Sequence, residues 1–450
     1  MEFKNKKALI VGMARSGVAA AELLSKLNAE IYLYDNKKLE ELPAEIRERI
    51  NRIDYTNLLG ADPDSYIEDV DYLIMSPGVP MDLPFIKKAY SLGKKVISEI
   101  ELGFLNTDAD FIAITGTNGK TTTTALTGEI FKNAGYNTFV LGNIGIPITQ
   151  EALNTKKGDV VVAETAALQL DSIETYRPKG SAVLNITEDH LNRYGTLENY
   201  TAAKAKIFQN QTEEDYCILN YDNEIVRSLK DKVKARIYWL STNNKFNNGI
   251  YVENDSITIS SNGKKEIICS INDVYIPGKH NLENALAAAG LARLYGIEKE
   301  IIADTLKSFK GVEHRIEFVR EVNGIEFIND SKGTNPDATI KAINAMKKPT
   351  VLILGGYDKK SDFTSLFKEF INVKAVVLLG ETAPKLEKTA IEAGFTNYKM
   401  ANNFEDAVLK AYGLANSNET VLLSPACASW DMFSDFEERG RVFKEIVKGL

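Results

Sequence analysis

Short apolar runs, each followed by a helical stretch, recur through the whole chain and leave it few folds to choose from. Residues 7–12 (KALIVG) precede an amphipathic stretch from Arg15, and 30–35, 71–78 and 94–98 repeat the strand pattern. A strand that is apolar at nearly every position is buried on both faces, so repeated strand–helix units imply a parallel sheet with helices on both sides. A second region opens with 109–135, again strand, tight loop and helix, and continues with strands at 159–165, 181–187 and 215–220. Between 249 and 276 the pattern alternates, with Asn262-Gly263 as a hairpin turn, and a helical stretch closes the region. A third region carries strands at 350–356, 375–380 and 419–426. The expectation is three α/β units joined near residues 100 and 311, with 241–249 as an exposed loop.

Composition excludes several classes. A chain of 450 residues can build two to four cores. No apolar run reaches the ~18 residues of a membrane span. The first residues run directly into a strand, so a cytoplasmic chain without a secretion signal is expected. Cys217, Cys269 and Cys427 form no CxxC pair, which favours reduced thiols. A net charge of -8 argues against a nucleic-acid binder. An anionic ligand must then be held by backbone N–H groups, single cations and metal ions.

The strongest chemical signal runs through Gly116, Thr117, Asn118, Gly119, Lys120, Thr121 and Thr122, between a strand and a helix. Glycines let backbone N–H groups face a phosphate, and the helix N-terminus adds its positive end. Lys120 would reach the outer phosphates of ATP, and the Thr121 hydroxyl would hold Mg²⁺. The loop departs from G-x-x-x-x-G-K-[ST] at Ile114, where that pattern has glycine. A second loop, Gly12-Met13-Ala14-Arg15-Ser16-Gly17, follows the first strand, and Asp35 ends the second. Ala14 stands where a dinucleotide fingerprint has its middle glycine, so a nucleotide-sugar site and a purely structural turn both stay open.

Three histidines, His190, His280 and His314, all lie in polar clusters. His190 follows Glu188 and Asp189 beyond an apolar strand, and Glu164 ends another; with Thr121 they could hold hard cations against phosphates. Asn281 and Asn284 are neighbours on one helix face. Arg315, beside His314, could steady phosphoryl charge or form a surface ion pair. By composition Lys204 reads as a solvated helix lysine.

The ordered set GTNGKTT, GNIG (142–145), NITEDHLNRYG, YTAAK, HNLENALAA, EHR, NDSKGTNPDA, LGGYDKKSDF and SPACASWDMFSDFEERG, over nearly all of the chain, resembles the Mur ligase family. The last three segments most resemble its D-glutamate-adding branch. The resemblance implies a Rossmann-like N-terminal domain at 1–100, a central P-loop ATPase-like domain with a mixed sheet at 101–311, and a Rossmann-like C-terminal domain at 312–450. It implies an ATP-dependent amide-forming ligase, working with Mg²⁺ as a monomer, that adds D-glutamate to UDP-N-acetylmuramoyl-L-alanine in peptidoglycan synthesis.

Residue by residue, the resemblance implies that Ala14, Arg15, Ser16, Gly17, Asp35, Gly78, Asn143 and Gln169 bind the UDP substrate. Residues Gly116–Thr122, with Asn281, Asn284, Arg315 and Asp330, would line the ATP site. Thr121, Glu164, His190 and a carbamylated Lys204 would hold metal. Lys120, His190, Lys204 and Arg315 would be catalytic. Lys332, Thr334, Lys359, Ser429, Trp430 and Phe436 would recognise D-glutamate, with Lys359 as counter-ion to a carboxylate. Carbamylation turns a cation into an anion and needs a neutral amine, hence a depressed pKa at Lys204. Four positions depart from the pattern. Ala166 and Ala167 replace a serine pair, Leu168 a phenylalanine, and Asn192 stands where relatives often have aspartate. Each lost hydroxyl is expected to cost ~1.5–3 kcal/mol of substrate binding. A nucleotide switch without ligase activity, and a sibling that adds L-lysine or diaminopimelate, are the competing readings.

Overall fold

The computed structural model of the protein describes residues 3–143, 145–359 and 361–450, with the side chain of Asn192 outside the description. Three sheets organise the chain. The first has five parallel strands in the spatial order Thr56–Asn57, Glu30–Tyr34, Lys7–Val11, Tyr72–Met75 and Lys95–Ser98. Ile10 and Ile74 pack with Val18 and Leu24 on one face, while Leu9 and Leu73 pack with Phe85 and Ile86 on the other. That two-sided burial is why these strands are apolar throughout. The winding reverses between Lys7–Val11 and Tyr72–Met75, which opens a crevice at their carboxyl ends.

The central sheet has nine strands. From one edge they are Lys264–Ser270, Ser256–Ser261, Gly249–Glu253, Arg236–Ser241, Tyr216–Asn220, Gly180–Val183, Asp110–Thr115, Val160–Glu164 and Thr138–Gly142. Strands from Gly249–Glu253 onward are mutually parallel, and the two at the Lys264 edge are antiparallel. Asn262 (φ 50°) and Gly263 (φ 78°) make the two-residue turn between those two, as the sequence predicts. The strand expected at 181–187 stops at Val183. Beyond it Asn185 leaves the ladder to bond the phosphate loop.

A six-stranded sheet follows in the order Glu317–Val322, Ile325–Asn329, Thr420–Leu423, Thr350–Gly355, Val373–Leu379 and Tyr398–Met400. Only its first pair is antiparallel. By contacts the chain forms two compact units. Met1–Tyr275 and Glu283–Phe309 make one; Ile276–Leu282 and Lys310–Leu450 make the other. The first two sheets thus share a unit. Among the described residues no helix is long and apolar enough to cross a membrane.

Candidate active site

Strands Gly180–Val183, Asp110–Thr115 and Val160–Glu164 are adjacent and parallel, so whatever follows their carboxyl ends lies side by side. The phosphate loop follows the middle one. Gly119 caps helix Lys120–Asn133 with φ 87°, and a Cβ there would lie 2.3 Å from Asn284 Oδ1. Only glycine meets both demands. Asn185 fixes the loop: its carbonyl accepts from Thr117 N (2.8 Å), its Oδ1 from Asn118 N (2.8 Å), and its Nδ2 donates to Asn118 O (3.0 Å). The Thr117 hydroxyl donates to Thr187 O at 3.2 Å. Asn185 was not among the residues singled out from sequence; the available signal was a polar residue where an apolar strand should continue.

Lys120 Nζ donates to Gly116 O and Thr117 O, both at 2.8 Å. Lys204, near the end of helix Leu197–Ala205, is 1% exposed and donates to the same Gly116 O at 2.8 Å. Its Nζ lies 4.5 Å from the Tyr200 ring centroid. Burial, and then the charge of Lys120, push this amine well below the usual lysine range, against the opposing pull of Asp189 and Glu164. The solvated surface lysine suggested by composition is therefore a buried one.

Glu164 is 2% exposed. Its Oε1 accepts from Asn143 Nδ2 at 2.8 Å, while its Oε2 is buried with no hydrogen-bond partner among the described residues. An orphaned carboxylate oxygen beside a phosphate loop fits a hard cation. Thr121 is buried on the first turn of the phosphate-loop helix. His190, in left-handed backbone (φ 53°), stands 6.1 Å from the Tyr200 ring and 3.9 Å from Asp189 Oδ2. Among the described residues no three His, Cys, Asp or Glu side chains converge as a ready-made metal cage.

In the first sheet, the Gly12–Gly17 loop and the 76–78 segment sit at the crevice where the winding reverses. Asp35 braces this loop, with Oδ2 accepting from Met13 N at 2.7 Å and Oδ1 from Lys37 N at 3.0 Å. A Cβ at Gly17 would lie 1.9 Å from Gly12 O, which excludes any other residue. Ala14 is the N-cap of helix Arg15–Lys26, Ser16 lies in its first turn, and Gly78 has open space around it. Gln169 Oε1 accepts from Ala166 N at 3.0 Å. Arg193 Nη2 donates to Val79 O at 2.7 Å, tying the short helix Leu191–Tyr194 that follows His190 to this edge.

The other compact unit gathers its own set. Asp330 is fully buried and accepts from Ser424 Oγ at 2.6 Å and Ile316 N at 3.2 Å, with Arg315 Nη1 at 3.9 Å. Burial raises its carboxyl to about 6, against the guanidinium of Arg315. Asn281 Nδ2 donates to Pro277 O at 2.7 Å. Lys332 lies over Phe436 (4.5 Å), Lys359 over Trp430 (5.6 Å), and Ser429 is buried. Thr334 N donates to Lys332 O at 2.9 Å. The sequence reading missed Arg439, which is 1% exposed. Its Nε donates to Ser331 Oγ (2.9 Å), Nη2 to Ser331 O (2.8 Å) and Cys427 O (3.2 Å), and Nη1 to Ala428 O (3.2 Å).

Known proteins share this arrangement along the entire chain. Residues 6–98 match the Mur ligase MurD-like N-terminal domain, 114–292 the Mur ligase middle domain, and 314–427 the Mur ligase glutamate ligase domain. The chain is 48% identical to a UDP-N-acetylmuramoylalanine–D-glutamate ligase of Thermoanaerobacter pseudethanolicus, over 100% of both chains. It is 49% identical, with the same coverage, to one of Clostridioides difficile. Solved structures with this fold include a pseudomurein peptide ligase type C of Methanothermus fervidus, with a TM-score of 0.61, 19% identity, and coverage of 99% and 100%. Another is the UDP-N-acetylmuramate-alanine ligase MurC of Thermotoga maritima, with a TM-score of 0.61, 19% identity, and 99% coverage of each chain. The chain belongs to the Mur ligase family.

Proposed function

We propose that this chain adds D-glutamate to UDP-N-acetylmuramoyl-L-alanine, with ATP as the phosphoryl donor, in the synthesis of peptidoglycan precursors. The observation that carries the reading is the single cluster of Lys120, Lys204 and Glu164 around the Gly116 turn, in a chain nearly half identical to D-glutamate ligases over its full length. Residues 1–100 hold the UDP substrate through Ala14–Gly17, Asp35 and Gly78, aided by Asn143 and Gln169. Residues 101–311 hold the triphosphate, and 312–450 hold the amino acid. The enzyme acts in the cytoplasm as a monomer.

A free carboxylate is a poor electrophile, so it must first acquire a leaving group. The terminal carboxylate oxygen of UDP-N-acetylmuramoyl-L-alanine attacks the γ-phosphorus of ATP, forming an acyl phosphate and releasing ADP. The amine of D-glutamate then attacks the acyl carbon, the C–O bond to phosphate breaks, and the amine loses a proton as the amide forms. Lys120 and the loop amides neutralise charge on the transferring group and orient it. Thr121, Glu164, His190 and a carbamylated Lys204 would hold Mg²⁺, which would supply neutralisation of phosphate charge. Arg315, Asn281, Asn284 and Asp330 complete the nucleotide site. Lys332, Thr334, Lys359, Ser429, Trp430 and Phe436 orient D-glutamate, and the Lys359 ammonium matches a carboxylate rather than the extra ammonium of lysine or diaminopimelate.

The test is phosphate release and product mass with ATP, magnesium, UDP-N-acetylmuramoyl-L-alanine and a panel of D-glutamate, L-lysine and diaminopimelate. Turnover with D-glutamate alone, requiring both co-substrates, is expected. Phosphate release that needs neither would make the chain a plain ATPase or switch and end the proposal.

A further inference from the structure

Asp330 is a fully buried acid, and the groups around it leave it little freedom. Ser424, the first residue after strand Thr420–Leu423, is also fully buried and lies 2.6 Å from Asp330 Oδ2. Its Oγ is 3.0 Å from Thr339 Oγ1, and Thr339, on helix Pro336–Ala345, is likewise fully buried. A serine hydroxyl has one proton. The Ser424 hydroxyl donates to the Asp330 carboxylate, its shorter bond, and the single proton of the Thr339 hydroxyl goes to the Ser424 carbonyl oxygen at 3.2 Å. Ser424 is thus held at two points: its carbonyl accepts from the Thr339 hydroxyl, and its own hydroxyl donates to the Asp330 carboxylate. Gly333 closes the other side, since a Cβ there would lie 2.5 Å from Asp330 Oδ2 and 2.6 Å from Ser424 Oγ. Burial of this quality around two hydroxyls and an acid is costly to leave unsatisfied, and here each hydroxyl has a partner.

We propose that Ser424, backed by Thr339, is a positioning residue for the nucleotide, holding the Asp330 carboxylate in one orientation toward bound ATP. This rests on the reading that Asp330 contacts ATP. The carboxyl is raised to about 6 by burial; Arg315, the Ser424 hydroxyl, Ile316 N and the more distant Arg439 favour its ionised form. Loss of the Ser424 donor removes one of these supports and pushes the carboxyl higher still. In the wild type, kcat/KM for ATP therefore falls as pH drops through the region of 6. In Ser424→Ala that acid limb moves upward.

The experiment measures kcat and KM for ATP against pH for the intact wild-type chain, Ser424→Ala, Thr339→Val and Asp330→Asn. A lost hydrogen bond to a charged group corresponds to about a tenfold or larger rise in KM for ATP in Ser424→Ala. The acid limb should move up by about one unit, because one unit matches that free-energy scale. Thr339→Val keeps shape and removes the donor that holds the Ser424 carbonyl, so a smaller shift in the same direction is expected; it also decides the matter if Ser424→Ala does not fold. An unmoved acid limb and unchanged KM in the folded variants, with Asp330→Asn impaired, would overturn the role of Ser424 alone. Unchanged ATP saturation in Asp330→Asn would overturn the contact on which it rests.

Discussion

Lys120 and Lys204 direct their ammonium nitrogens at one carbonyl oxygen, that of Gly116, each at 2.8 Å. Two cations sharing one neutral acceptor repel each other, and the more buried of the two yields its proton first. A lysine whose folded pKa lies below its unfolded value weakens the fold at neutral pH, and that penalty fades as pH rises toward 10.5. Lys204→Met in carbonate-free buffer should therefore be more stable than wild type at pH 7, with the advantage shrinking by pH 10. Ligase activity should be lost in the same variant. Denaturant melts at both pH values check this; an advantage that grows with pH would contradict it.

Gly119 and Gly135 both have left-handed backbone, at φ 87° and 85°. Only at Gly119 does a side chain meet another atom, Asn284 Oδ1. Gly135→Ala should cost about 1–2 kcal/mol through its backbone alone and leave ATP binding intact. Gly119→Ala should cost more and weaken ATP binding at least about tenfold, because the helix N-terminus must move. Thermal melts and calorimetric titration with ATP and magnesium separate the two.

Ala166 has N-cap geometry (φ -78°, ψ 154°) ahead of the short helix Ala167–Leu170, yet offers no side-chain oxygen. Gln169 reaches back to the Ala166 N–H, so half of a capping box is already in place. Ala166→Ser should add about 1 kcal/mol of stability. If the missing hydroxyl also served the nucleotide substrate, KM for UDP-N-acetylmuramoyl-L-alanine falls in the same variant. Steady-state kinetics beside a urea melt would tell capping from substrate binding.

Glu99 is 2% exposed; Oε1 accepts from Thr149 N and Oγ1, both at 2.7 Å, and Oε2 has no partner within hydrogen-bond geometry among the described residues. Burial raises its carboxyl above the usual range. Such an acid keeps its proton more tightly when folded, so it costs stability as pH climbs above its unfolded value and nothing below it. Glu99→Gln should be more stable than wild type at pH 8 and gain nothing at pH 4. Equal gains at the two pH values would show that charge is not the cause.

The sheets were legible because burial on two faces demands unbroken apolar runs, as at 350–356, and the hairpin because Asn262-Gly263 takes positive φ at both turn positions. Lys120 could be marked as a candidate because it starts the helix after a strand and tight loop, and Glu164 because it ends a strand. Lys204 could not be placed from pattern alone: a lysine on a short helix looks solvated until its neighbours are known. Asn185 and Arg439 stayed hidden for a related reason, since their work is to hold backbone atoms far away in sequence, and backbone atoms carry no sequence signature. Nor does periodicity reveal that 276–282 pack with the later unit while the residues on either side pack with the earlier one.

Arg439 belongs to the last helix, Phe436–Gly449, yet its guanidinium grips carbonyls at 331, 427 and 428. The tail of the chain is thus the latch on two distant turns. Shortening it before 436 would spare all but one of the proposed amino-acid contacts and leave those that stay without a frame, so a truncated protein should fail in recognition before it fails in chemistry.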